Sequence, residues 1–257
     1  MKTFLLRTLF TCLPLSFSCA AHAIDAALPP ALAWQGASES LLKDVPAEWI
    51  TPAEQSQFVS TPNYDDTISY LRRLQRQSPL IQIQEFGRSA QGRPLLLVIA
   101  SKSAEPLLNK RTQLPQVRVL IQAGIHAGEI DGKDAGLMLL RDIALGKKAN
   151  LLDNVDFYFV PVFNADGHER RGSNNRVNQR GPNDMGWRTT ATNHNLNRDY
   201  MKAETPEMQA MLRLFQRIDP EVYIDVHVTD GIDYQYDITY GFVERDAASP
   251  RISRWLK

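Results

Sequence analysis

The chain has 257 residues, of which 43% are hydrophobic and 23% are charged, and its formal net charge is zero. This composition is typical of a globular protein with one sizeable core, and it excludes a disordered or collagen-like chain. The even balance of charge indicates neither a nucleic acid nor an anionic membrane surface as a partner.

The first 23 residues have the pattern of a secretory signal peptide. Lys2 and Arg7 precede an apolar stretch over residues 8–20, and Ala21 and Ala23 supply the small residues of a cleavage site. A membrane anchor is the alternative, but the stretch is shorter than the roughly 20 residues that span a bilayer. We therefore expect cleavage after Ala23, an exported protein that is periplasmic or secreted, and no membrane segment afterwards.

Cleavage would also remove both cysteines, Cys12 and Cys19. A lipoprotein reading of Cys19 is disfavoured, because residues 16–18 lack the usual aliphatic residue. The exported chain would hold 27 basic and 29 acidic residues, without disulfides or thiol chemistry. A metal site would then need histidine and carboxylate ligands, and the histidines left for it are His126, His168, His194 and His227.

The predicted elements begin after a lead-in. Residues 24–61 carry scattered prolines without a sustained period, so we expect a loosely structured N-terminal extension, followed by a catalytic domain over residues 62–257. A helix is predicted at 63–77. Apolar runs predict strands buried on both faces, and helical patterns lie between them. The strands are expected at 95–100, 117–123, 155–163 and 222–228, and the helices at 129–145 and 205–218.

This alternation predicts an α/β fold with a mixed, partly parallel central sheet and helices on both faces. Polar residues follow the strands directly: His126 after the second, Asn164 and Asp166 after the third, and His227 at the end of the fourth. Ligands of open α/β sheets bind at the carboxyl ends of the strands. We expect the functional site at that edge.

His126 and Glu129 form an H-x-x-E pair that brings an imidazole and a carboxylate to one side of a turn, as a shared Zn²⁺ requires. The H-x-x-E pair alone is weak evidence for a metal site, because a helix-capping glutamate beside an unrelated histidine is a commoner cause of the same pattern. His227 supplies the third ligand of a catalytic site from a separate strand. His168 and His194 lie in loop sequence and are weaker candidates.

Two further residue types suit the neighbourhood of such a site. Strand alternation places Asp225 on the face of His227 but one residue pair deeper, where it would contact a ligand rather than the ion. Asn197 and Arg198 are adjacent, and a guanidinium next to an amide is well suited to grip a free carboxylate. A surface arginine in a loop is the ordinary alternative.

The motifs together resemble the zinc metallocarboxypeptidases of the carboxypeptidase A and T type, over the chain from about Thr61 to its end. The motifs keep one order: H-A-G-E at 126–129, N-A-D-G at 164–167, R-V-N at 176–178, L-N-R at 196–198 and D-V-H at 225–227.

The resemblance implies a carboxypeptidase-like fold and one Zn²⁺ bound by His126, Glu129 and His227. It implies a peptide substrate whose C-terminal carboxylate is bound by Asn197 and Arg198, and whose terminal peptide bond is hydrolysed by a metal-activated water. Arg176 would stabilise the developing oxyanion, with Arg180 as a rival in the same loop.

The sequence departs from the family's pattern at two points. Asn195 stands where the family usually has an acidic residue that orients a zinc histidine. The general base of the family is a glutamate on a late strand, and this chain ends 30 residues after His227. We therefore expect a fragment that lacks the C-terminal part of the sheet. Glu207 and Glu244 are substitutes without a matching motif.

Two other functions stay open at this point. One is a zinc deacylase of N-acyl amino acids, resembling the succinylglutamate desuccinylase and aspartoacylase group, which has an H-x-x-E and a later histidine. The other is a non-catalytic zinc-binding or peptide-binding module, which the absent general base favours. The N-A-D-G segment and the long loop before L-N-R favour the peptidase over the deacylase.

Overall fold

A computed structural model describes residues 44–103, 116–177, 179, 181–232, 234–236, 238–241, 249–251 and 254. The expected signal peptide, residues 24–43 of the extension, Arg180 and Glu244 lie outside the described residues. Within those ranges, no helix combines the length and the apolar character that crossing a membrane requires.

The centre of the fold is a mixed sheet with the strand order β1-β2-β4-β3-β5. β1 pairs antiparallel with β2 and β2 antiparallel with β4, whereas β3 runs parallel to both β4 and β5. The predicted mixed, partly parallel sheet is therefore confirmed. The strands are β1 (Ile81–Arg88), β2 (Pro94–Ala100), β3 (Val117–Ala123), β4 (Val155–Val160) and β5 (Val222–Val226).

Helices cover both faces of this sheet, as predicted. The helices Tyr64–Gln77 and Asp131–Ala144 bury Leu74 and Leu140 on one face, and Pro206–Ile218 buries Met211 and its neighbours on the other. Shorter helices fill the connections. They are the α-helices Pro52–Gln55 and Ala165–Glu169 and the 3₁₀ helices Ala47–Trp49, Ala149–Asp153 and Leu196–Arg198.

Side-chain caps explain where two of the long helices begin. Asn63 accepts a hydrogen bond from the backbone N–H of Asp66, and Thr205 accepts one from that of Met208, with Pro206 at the first helical position. The remaining long helix, Asp131–Ala144, begins two residues later than predicted, because Glu129 still lies in the turn that leaves β3.

The strand predictions need three corrections. β1 was not predicted, although Ile81 and Ile83 are buried and alternate with polar residues, as in a half-buried strand. The third and fourth predicted strands end early, at Val160 and Val226. The expectation that β5 is buried on both faces is wrong, because within the described residues β5 pairs only with β3 and leaves Val222 exposed.

The described end of the expected loose extension is part of the folded domain. Thr51 caps the helix Pro52–Gln55, and the buried carboxylate of Glu54 accepts hydrogen bonds of 2.7 Å from the buried guanidinium of Arg141. Thr61 accepts a 2.7 Å hydrogen bond from Lys133. These contacts join residues 51–61 to the helix that follows β3, so no structural break separates them from the domain.

Candidate metal centre

Three predicted ligands meet at the carboxyl ends of β3 and β5, which are parallel neighbours. Nδ1 of His126 lies 2.8 Å from Oε1 of Glu129, and Nδ1 of His227 lies 2.9 Å from Oε2 of the same carboxylate. One ligand atom from each residue can be chosen so that all three lie within 4.8 Å of one another. The sequence-predicted cluster therefore exists as a compact group.

The group has the donor set of a catalytic zinc site, with two imidazole nitrogens and one carboxylate. His126 and Glu129 are each 3% exposed, whereas the side chain of His227 is 36% exposed, so the cluster opens to solvent on one side. The backbone N–H of Val228 donates to Oε2 of Glu129 over 3.1 Å and fixes the carboxylate further. These residues fit one zinc ion with an accessible position.

Hydrogen bonds within this cluster shift the pKa values of Glu129 and His227. Burial alone would raise the pKa of Glu129, but hydrogen bonds from His126 and His227 hold the pKa of that carboxyl well below its ordinary value. The hydrogen bond to Asp225, followed by the one to Glu129, raises the pKa of His227 to about 9 against the effect of burial. Glu129 is therefore an anion, as a metal ligand must be.

The departure at Asn195 has a structural counterpart. The Asn195 side chain accepts a 3.1 Å hydrogen bond from the backbone N–H of Asn197. Nε2 of His126 is buried without a hydrogen-bond partner among the described residues. The two histidines of the cluster therefore differ, because Nε2 of His227 lies 3.1 Å from a carboxylate oxygen of Asp225.

Two arginines lie close to Glu129, of which only Arg176 was predicted from the sequence. Arg176 is 5% exposed and donates to Oε1 of Glu129 over 2.9 Å and to Asp230 over 2.8 Å. Nη1 of Arg188 lies 3.7 Å from the same Oε1, and its side chain is 38% exposed. Arg176 is therefore buried, whereas the side chain of Arg188 is partly open to solvent.

The N-A-D-G segment explains how Arg188 is placed. Asn164 accepts a hydrogen bond from the backbone N–H of Gly167 and donates one of 3.2 Å to the backbone carbonyl of Arg188. The sequence around Arg188 does not predict this position beside Glu129, because the contact with Asn164 joins residues 24 positions apart.

The predicted carboxylate-binding pair lies in the 3₁₀ helix Leu196–Arg198. Asn197 is partly buried, and the exposed guanidinium of Arg198 donates to the backbone carbonyl of Asn197 over 2.8 Å. Two residues later the hydroxyl of Tyr200 contacts Gln122 of β3, the strand that leads to His126. This contact ties the loop of Asn197 and Arg198 to the strand that leads to His126.

The competing candidates lie outside the cluster. His168 is buried, with Nδ1 2.8 Å from Glu169, and burial lowers the pKa of its imidazole. His194 contacts Thr192 on the surface. Glu207 is buried and accepts a hydrogen bond from the backbone N–H of Ala90, which makes it a structural residue rather than a substitute base.

Gly128 has a packing role within the H-A-G-E turn. A Cβ atom at this position would lie 2.7 Å from Cγ of Arg176 and 2.8 Å from the carbonyl oxygen of Gly186. The glycine therefore lets the arginine-bearing loop approach the turn that holds the ligands.

Comparison with known sequences decides the family. Residues 67–254 match the family described as zinc carboxypeptidase. The chain belongs to this family. Carboxypeptidase 2 of Trichophyton rubrum is 29% identical over 172 residues, which are 65% of this chain and 29% of that protein. An inactive metallocarboxypeptidase of Saccharomyces cerevisiae is 29% identical over 218 residues, 72% of this chain and 48% of its own length.

Comparison with a solved structure supports the fold. The metallo-carboxypeptidase from Burkholderia cenocepacia superimposes with a TM-score of 0.52 at 24% identity, covering 66% of this chain and 42% of that one. The chain thus spans less than half of the relatives named here. Family membership does not favour the deacylase considered from the sequence.

Proposed function

We propose that this chain carries the metal-binding part of a zinc-dependent carboxypeptidase, and that the protein hydrolyses the C-terminal peptide bond of peptides. The observation that supports this most is the convergence of His126, Glu129 and His227 at one sheet edge. Membership of the zinc carboxypeptidase family supplies the substrate class.

The chain's own residues would divide the work as follows. His126, Glu129 and His227 hold one Zn²⁺, which when bound polarises a substrate carbonyl and lowers the pKa of water. The backbone N–H of Val228 and the guanidinium of Arg176 hold the Glu129 carboxylate in place. The ligands would then keep their geometry while substrate enters from the open side.

Arg188 is our candidate for stabilising the negative charge that develops on the scissile carbonyl oxygen. Its guanidinium lies beside Glu129 and is partly exposed, so a substrate can reach it. The role assigned to Arg176 from the resemblance stays a prediction, and its burial between Glu129 and Asp230 argues against access.

Asn197 and Arg198 would bind the substrate's C-terminal carboxylate. The guanidinium of Arg198 is exposed, so it can form the two parallel hydrogen bonds that a carboxylate accepts. This grip would select the last peptide bond of a chain over internal bonds.

The direct test compares an N-blocked dipeptide with a free C-terminal carboxylate against the same dipeptide as its C-terminal amide. We expect cleavage of the acid and little cleavage of the amide, and replacement of Arg198 by alanine should remove this preference by raising KM for the acid. Equal cleavage of both substrates would refute the carboxylate grip. Bound zinc without hydrolysis of any peptide would instead support a non-catalytic binding module.

Export is also part of the proposal, on the pattern of residues 1–23 alone. Expression of the gene in its native host, followed by mass determination of the mature N-terminus, should give a chain that begins at Ile24. An N-terminus that still carries Lys2 would contradict export by this route.

A further inference from the structure

A chain of polar contacts leads away from His227 to the buried side chain of Gln122 and on to two partly buried tyrosines. Nε2 of His227 lies 3.1 Å from Oδ2 of Asp225, and Oδ1 of Asp225 accepts a 3.0 Å hydrogen bond from Nε2 of Gln122. The same amide nitrogen donates to the hydroxyl of Tyr200 over 3.1 Å, and that hydroxyl lies 2.6 Å from the hydroxyl of Tyr223.

Backbone register fixes the centre of this chain. Gln122 of β3 and Asp225 of β5 are direct partners in the parallel pair, so their side chains stand next to each other on the same face. The orientation of the amide is also determined, because only its NH₂ end can face a carboxylate. Both N–H groups of Gln122 are therefore engaged, one by Asp225 and one by Tyr200.

The stability of the fold does not explain why a glutamine lies at position 122. The residue is fully buried, and its Oε1 has no hydrogen-bond partner among the described residues. An unsatisfied buried acceptor costs about 1–3 kcal/mol, a cost that a leucine of similar size would avoid. The amide is therefore a poor choice for packing.

The requirements of a histidine ligand explain why an amide side chain lies at position 122. A histidine binds zinc through one neutral nitrogen, and the acceptor at the other nitrogen fixes both the tautomer and the ring orientation. Nδ1 of His227 faces Glu129, so it is the nitrogen placed to bind the ion; once it does so, the ring proton stays on Nε2, where Asp225 accepts it. The Asp225 carboxylate can fix the orientation of the His227 ring only if another group fixes the orientation of the carboxylate itself.

We infer that Gln122 is a positioning residue of the metal centre: it holds the Asp225 carboxylate against Nε2 of His227 and links it, through Tyr200, to the loop of Arg198. This inference rests on the proposed zinc site. Gln122 and Asp225 touch neither ion nor substrate, and they act through His227. Since Nε2 of His126 lacks such a partner among the described residues, this unit is the one that orients an imidazole ligand through its second nitrogen.

The test measures zinc affinity of the metal-free protein by competition with a chromophoric chelator. Asp225→Asn should raise the Kd for zinc by about 10- to 100-fold, and Gln122→Leu should raise it by a smaller factor towards the lower end of that range. Because Gln122 acts through Asp225, the double variant should bind zinc within about twofold of Asp225→Asn alone. Cobalt substitution should give an altered visible spectrum in both single variants.

Two controls separate positioning from folding. The thermal midpoint of the metal-free Gln122→Leu protein should equal or exceed that of the wild type, and Gln122→Met provides a second variant if leucine does not fit. Tyr223→Phe removes a hydroxyl from the far end of the same chain of contacts, and it should leave zinc affinity unchanged.

Unchanged zinc affinity in Gln122→Leu would overturn the inference, as would losses that multiply in the double variant. The inference would also be overturned if Gln122→Leu and Gln122→Met lost zinc affinity only in proportion to a fall in the thermal midpoint of the metal-free protein. If the wild-type protein binds no zinc, the proposed function fails and this inference fails with it. Tight binding by the wild type and the variants alike would refute the positioning role alone.

Discussion

At the scale of single residues, the site is organised around one carboxylate. Glu129 accepts hydrogen bonds from two histidines, one backbone N–H and Arg176, while Arg188 stands at 3.7 Å on the open side. These hydrogen-bond donors and the two guanidinium groups favour the ionised form of the buried carboxylate. The two arginines differ in access, and that difference predicts different defects.

The arginines can be separated by kinetics. Arg188→Ala should lower kcat for peptide hydrolysis by about 10²- to 10³-fold with little change in zinc affinity, because a charge that acts on the transition state is lost. Arg176→Ala should weaken zinc binding, because Glu129 loses a buried partner. Arg213→Ala, on an exposed helix position, is the matched control. A large kcat defect in Arg176→Ala with normal zinc affinity would restore the sequence-based assignment.

At the scale of elements, Asp199 joins the loop of Asn197 and Arg198 to the helix Pro206–Ile218. Its side chain accepts a 2.9 Å hydrogen bond from the backbone N–H of Glu204, and both the backbone N–H and the hydroxyl of Thr205 donate to it. Burial would raise the pKa of Asp199, but these hydrogen bonds hold the pKa below its ordinary value. The stability it contributes is therefore present near neutral pH and lost as the pH falls.

Asp199→Asn should lower the free energy of unfolding at pH 7 by about 1.5–3 kcal/mol, since hydrogen bonds to a charged group are lost. The folded-state pKa is depressed, so the difference from wild type should begin to shrink as the pH falls below about 4, where Asp199 is protonated in the unfolded chain but not yet in the folded one, and it should be lost below the folded-state pKa. Denaturant titrations at several pH values measure both quantities.

Asp65→Asn, an exposed substitution in the first turn of the helix Tyr64–Gln77, controls for the general effect of removing a charge and should cost about 0.5 kcal/mol or less. A difference between wild type and Asp199→Asn that stays constant down to pH 2 would contradict the role given to the Asp199 carboxylate.

The sequence predicts the elements of the site well because each ligand follows an apolar run. His126 and His227 could be placed at one sheet edge from the strands before them, and Asn63 and Thr205 mark helix starts through local capping chemistry. Other features depend on distant contacts. Arg188 is placed by Asn164, and the exposure of β5 depends on the neighbours of that strand. β1 is a different case, because its alternation of isoleucine and glutamine was a readable signal.

At the scale of the whole molecule, residues 51–61 are attached to the domain by charge. Glu54 and Arg141 form a buried pair at 2.7 Å, and Arg141 also contacts Asp142. Composition suggested a loose extension because prolines interrupt any period in this region. Sequence reasoning could not reveal the pairing partner, which lies 87 positions away.

Glu54→Gln should lower the free energy of unfolding by about 3 kcal/mol, because the buried guanidinium of Arg141 would lose its main counter-charge. Chemical denaturation gives this value directly. The exposed Glu48→Gln is the matched control and should change stability by about 0.5 kcal/mol or less. Equal stability of Glu54→Gln and Glu48→Gln would mean that residues 51–61 do not contribute to the domain.

The central claim is that His126, Glu129 and His227 bind one zinc ion. It is tested most directly by the zinc content of the purified protein, measured by elemental analysis after dialysis against a buffer that fixes a low free zinc concentration, in the wild type and in Glu129→Gln and His227→Ala. The account predicts one zinc per wild-type chain and a large loss of affinity in both variants, with His194→Ala unchanged. Full zinc occupancy in Glu129→Gln and His227→Ala, or no zinc in the wild type, would contradict it.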